Sequence, residues 1–130
     1  AVLTHSRSYE ALNNLGVAYL RQGNISAALS ALLEARNASR ENSTASQNLA
    51  IAHCINGNSA AARGVIEESI QLHSKNGMLH CIHSFILARQ GESEKAAEAL
   101  SRARGLGVNV DDMSTVDLKN WTRILFIREP

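Results

Sequence analysis

The chain has 130 residues, of which 45% are hydrophobic, enough for one modest core and too apolar for a disordered segment. Aromatic residues make up only 4% and there is a single proline, a composition that favours closely packed helices over a sheet sandwich. The formal net charge of +1 supplies no basic face for nucleic acid or an anionic membrane, and no apolar run approaches the roughly 20 residues that span a bilayer.

From Tyr9 onward, Leu12, Leu15 and Tyr19 recur at helical spacing and predict a first helix that stops at Gly23-Asn24. Glycine accepts the left-handed conformation that a helix C-terminus often needs. Leu29, Leu32 and Ala35 then predict a second helix. The same stop returns at Gly57-Asn58 and Gly91-Glu92, 34 residues apart each time (57 − 23 and 91 − 57). Asn24 and Asn58 are expected to turn the chain, and Ser26, Ser59 and Ser93 to help cap the second helices.

Rows of 34 residues starting at Tyr9, Ser43 and Gly77 bring like residues into columns. Columns seven and eight hold Leu15-Gly16, Leu49-Ala50 and His83-Ser84. Column eleven holds Tyr19, His53 and Leu87; column twenty is Ala28, Ala62 and Ala96. Column twenty-four is Leu32, Ile66 and Leu100, and column twenty-seven is Ala35, Ser69 and Ala103. Small residues in columns eight and twenty let two antiparallel helices approach closely, so each row reads as a helical hairpin.

A helical hairpin of this length with Leu-Gly, Tyr, Ala, an apolar residue and Ala in these columns resembles the tetratricopeptide repeat. The resemblance implies an all-α fold: a right-handed α-solenoid of three tetratricopeptide hairpins plus a C-terminal capping helix. The expected organisation is a single domain over 1–130, with repeats at 9–42, 43–76 and 77–110 and the capping helix at 111–130. Residues 1–8 continue the register backwards, as the tail of a preceding repeat would. The family's proline near each repeat end is replaced by Arg40, Ser74 and Val108.

After the third row, Gly105 and Gly107 end a helix, and Ser114 with Asp117 resembles a capping box for the next one. Leu118, Trp121 and Leu125 share one face of that helix. Its apolar run at 124–127 implies burial on two sides, or alternatively a homo-oligomer contact through the C-terminal helix.

In the family, five columns of each first helix point into a concave groove that holds a peptide or protein segment. Carried over here, the partner-binding groove consists of Asn13, Val17, Leu20, Arg21, Gln47, Ile51, Cys54, Ile55, Met78, Cys81, Phe85 and Arg89, with Glu10, Thr44 and Ala88 beside them. The floor is apolar, with amides at one end and arginines at the other, which suits apolar anchors and main-chain groups. One specialised branch of the family grips a C-terminal carboxylate with Lys, Asn and Arg. Asn13, Val17, Asn48, Met78 and Ile82 stand in those positions, so only Asn48 matches and the cations are missing.

His53-Cys54 and His80-Cys81-Ile82-His83 bring ligand types together, but the two cysteines lie in columns twelve and five of parallel helices. That offset is about 10 Å along the axis, which disfavours both a zinc site and a disulfide. No catalytic constellation and no phosphate loop is present, so the expectation is a non-enzymatic adaptor with no cofactor, no metal, no nucleic-acid partner and no membrane insertion by this segment. The run Gln47-Asn48-Leu49-Ala50 resembles tetratricopeptide lipoproteins of tight-adherence pilus assembly, which would imply a bacterial periplasmic setting; otherwise the cytoplasm is expected. A secretion-type chaperone for an apolar client and a self-associating scaffold are the alternatives.

Overall fold

The computed structural model describes residues 8–109, which form six α-helices and, among those residues, no strand. They are α1 (Tyr9–Arg21), α2 (Ile25–Ala38), α3 (Ser43–Ile55), α4 (Ser59–Leu72), α5 (Gly77–Arg89) and α6 (Ser93–Gly105). First helices begin at 9, 43 and 77 and second helices at 25, 59 and 93, so the period of 34 is carried by the backbone. The expected capping helix, with its 124–127 run, and residues 1–7 of the expected tail lie outside the described residues.

Each first helix ends as the glycine column predicts. Gly23, Gly57 and Gly91 have φ of 81°, 80° and 81°, the left-handed region that a side chain rarely adopts. The residue after each glycine donates its N–H back across the end of the helix. Asn24 reaches the Tyr19 carbonyl at 2.9 Å, Asn58 the His53 carbonyl at 2.8 Å and Glu92 the Leu87 carbonyl at 3.0 Å. This is the double-bonded end that satisfies otherwise orphaned carbonyls.

The N-caps correct one expectation. Asn24 and Asn58 themselves cap the second helices, accepting from the N–H groups of Ala27 at 3.3 Å and Ala61 at 3.1 Å. Ser59 and Ser93 are already the first helical residues. An asparagine just past the glycine has the non-helical backbone and short side chain that a cap needs, so it closes one helix and opens the next. The third turn has Glu92 instead, which makes no side-chain cap bond. First helices are capped by Ser8, Asn42 and Asn76, whose side chains accept from Ala11, Thr44 and Met78.

Within a hairpin the helices approach closely where the sequence is small. A Cβ placed on Gly16 would lie 2.4 Å from Leu32 Cγ, so α1 and α2 pack through the missing side chain. Successive hairpins then stack. Val17, Leu32, Leu49, Ile51, Ile66, Leu79, Ile82 and Ile86 form one continuous core running from α1 to α5. Full burial of each large aliphatic side chain stabilises the fold by about 1.5–3 kcal/mol. Each helix packs on its neighbours in sequence, and α1 also touches α3, as α3 touches α5. The second helices do not pair in this way to a comparable extent, so the first helices form the tighter, inner layer of the stack.

Candidate protein-binding groove

The inner layer presents α1, α3 and α5 side by side, and depth within it varies sharply along each helix. Val17, Ile51 and Cys54 expose none of their surface, and Leu20, Gln47 and Cys81 no more than 5%. These side chains therefore build the floor from below and cannot meet a partner without opening the core. Column assignment gives the direction in which a side chain points, whereas depth depends on the neighbouring helix packed against it. Ile55, Met78 and Phe85 are half-buried, and Arg21 and Arg89 are exposed. This open subset lies at the C-terminal half of α3 and along α5.

Arg89 is tied into the surface it borders. Its guanidinium carbon lies 5.6 Å from the centre of the Phe85 ring, within cation–π range. Its charge also reaches Cys54 on α3, opposing the burial that pushes the Cys54 thiol up to about 11. Cys54 and Cys81 are both free and buried, and burial also raises the Cys81 thiol, so neither is an activated nucleophile.

At the opposite end of the inner helices the amides are structural. Asn48 Nδ2 donates to Asn13 Oδ1 at 2.8 Å, joining α1 to α3 in full burial. Asn76 Nδ2 donates to Ser43 Oγ at 3.1 Å, joining the third hairpin to the second. Gln47 Nε2 donates to the same Ser43 oxygen at 3.4 Å, while its own Oε1 is buried without a partner. The Ala45 N–H donates to the Tyr9 hydroxyl at 2.8 Å. The sequence places Asn13 and Gln47 among the groove residues, whereas in the fold they are buried and hydrogen-bonded within the inner layer. The recurring amides and hydroxyls at the starts of rows two and three were the available signal for an inter-hairpin network.

Two of the histidines, His80 and His83, are bonded into the scaffold. His80 Nε2 is 2.8 Å from the Ser74 carbonyl, and His83 Nε2 is 3.0 Å from Glu67 Oε2. Glu67 accepts from Arg63 Nε at 2.9 Å, and Arg63 also pairs with Glu92. This network ties α4 to α5 and to the turn before α6. Burial lowers the pKa of His83, although the hydrogen bond to Glu67 works the other way. Glu67 is held below its ordinary value: burial works to raise it, and hydrogen bonds from Arg63 and His83 outweigh that. Among the described residues no three His, Cys, Asp or Glu side chains gather as a metal site. No helix among them is long and apolar enough to cross a membrane.

Comparison with known proteins places this geometry. No curated protein sequence matches the chain. Solved structures that resemble it include a point mutant of MamA, at 20% identity and a TM-score of 0.68, covering 78% of this chain and 74% of that one. MamA MSR-1 is 18% identical with a TM-score of 0.68 over 88% of this chain and 63% of its own. MamA AMB-1 is 20% identical with a TM-score of 0.68 over 84% of this chain and 61% of its own. The likeness at this identity is one of fold, and the chain spans 61% to 74% of those three chains. The tetratricopeptide repeat pattern itself matches residues 1–40 and 13–77, more than half of the sequence. With the 34-residue backbone period and the stacked hairpins, the chain belongs to the tetratricopeptide repeat family.

Proposed function

We propose that the chain is a non-enzymatic protein-interaction module that holds a segment of a partner protein against the open part of its inner layer. The observation that carries this reading is the half-buried apolar strip of Ile55 and Phe85, with Met78 toward the other end of α5, bordered by the exposed Arg89. Such a strip offers apolar anchoring beside a fixed donor, the combination peptide grooves use. The buried thiols, and His80 and His83 bonded into the scaffold, supply no activated group for chemistry.

The test is partner capture from the native host with the wild-type chain and an Ile55→Glu, Phe85→Glu variant, both checked for helicity. A control variant carries Glu98→Gln and Arg102→Gln on exposed positions of α6. The groove reading expects a partner lost only with the first variant. A partner retained by that variant overturns it.

The pilus-assembly reading rests on Gln47-Asn48-Leu49-Ala50, and all four residues are buried in the core. Packing alone therefore accounts for the run, and the cellular process, pilus assembly or secretion, is assigned by the partner's identity.

A self-associating scaffold is favoured by a different observation. Leu15 is 40% exposed, whereas Leu49, its equivalent one hairpin later, is 2% exposed beneath α2. Leu15, Tyr19, Ala27 and Ala31, with Ser30 and Glu34, line a shallow groove of about 210 Å³ on the first hairpin. In this reading a Leu15→Glu change lowers a concentration-dependent mass; a monomer at all concentrations excludes it.

A further inference from the structure

The charges on the inner layer are few and unevenly placed. Among the described residues, α1 carries Glu10 in its first turn and Arg21 in its last. Helix α3 carries no Asp, Glu, Lys or Arg, and α5 carries only Arg89, again in its last turn. The first helices run parallel, so both arginines stand at the same end of the inner layer. They occupy the same column two hairpins apart, with Ile55 between them in the second hairpin.

Neither arginine has a carboxylate partner among the described residues. The ion pairs there use Arg40, Arg63, His83 and Lys95 instead. A last-turn arginine can offset its own helix dipole, yet α3 ends without one, so the dipole does not demand a cation at this column. Arg89 is exposed and held over the Phe85 ring, so less side-chain freedom is lost when it meets a partner.

We propose, resting on the groove reading above, that the partner is an extended segment of acidic–apolar–acidic pattern. Its two carboxylates meet Arg21 and Arg89, and an apolar side chain between them seats against Ile55 and Phe85. Adjacent packed helices lie about 9 Å apart, which places α1 roughly 18 Å from α5. An extended chain covers that distance in about six residues, which sets the expected spacing of the two acids.

The probe is a random-peptide phage library selected on the folded chain, followed by affinity measurement of the enriched peptides. The expected result is enrichment of sequences with two Asp or Glu residues about six apart around an apolar residue. An Arg21→Gln, Arg89→Gln variant should bind the best peptide about tenfold more weakly, and high salt should reduce wild-type binding likewise. Enriched peptides without acidic bias, lost on Phe85→Glu, overturn this proposal and leave the groove reading standing. Peptides that bind Phe85→Glu unchanged, or no enrichment at all, overturn both. Because Arg21 and Arg89 are exposed, their replacement leaves the core intact, and circular dichroism verifies this.

Discussion

At Gly16 the smallest side chain is a packing requirement, since the position a Cβ would take is already filled by Leu32. Gly16→Ala is expected to cost about 1–3 kcal/mol, read from urea unfolding, despite alanine's better helix propensity. A neutral or stabilising outcome would mean that α1 and α2 separate more easily than their geometry implies. The buried Asn13–Asn48 pair makes a second single-residue case. Asn48→Leu should destabilise by about 1–3 kcal/mol by stranding an acceptor on Asn13. The Asn13→Leu, Asn48→Leu double variant should recover part of that loss. A double-mutant cycle without coupling would deny the bond its role in fixing the first two hairpins in register.

Among the elements, the helix ends were legible before the structure because their cause is local. A glycine at positive φ and the residue after it determine the turn, and both stand in the sequence at a fixed period. The capping asparagines were misjudged because one residue there performs two tasks, closing α1 or α3 and opening α2 or α4. Depth in the inner layer was not legible, since it depends on how far each first helix is covered by its neighbours. Helix α3 shows this: Ile51 is fully buried, whereas Ile55, one turn later, is only half covered. Ile51→Ala should therefore cost about 2–5 kcal/mol by leaving a cavity. Ile55→Ala should cost clearly less and act mainly on binding. Equal losses of stability would contradict the depths assigned to the two residues.

For the whole molecule, two partly buried histidines make stability sensitive to pH: His53 on α3, near Arg36 of the first hairpin, and His83 on α5, bonded to Glu67 of the second. Burial lowers the pKa of both below 6.5, with Arg36 adding to the effect at His53. A histidine depressed in the folded state contributes stability above its unfolded pKa, and that contribution is lost as pH falls through the folded value. Glu67, also depressed, removes a further share below 4.5. Melting temperature should therefore fall as the solution is acidified from about pH 7 to 5, and His83→Leu should flatten the slope. A melting temperature that rises over this range would reverse the sign and contradict the burial assigned to both rings. The same stack leaves its inner layer open along α5 and the end of α3, and the proposed activity depends on that opening. The most direct test is amide NMR shift mapping of the folded chain titrated with a library-selected peptide. The largest shifts are expected at Arg21, Ile55, Phe85 and Arg89; largest shifts at Leu33, Glu98 and Arg102 on the second helices would contradict a partner site on the inner layer.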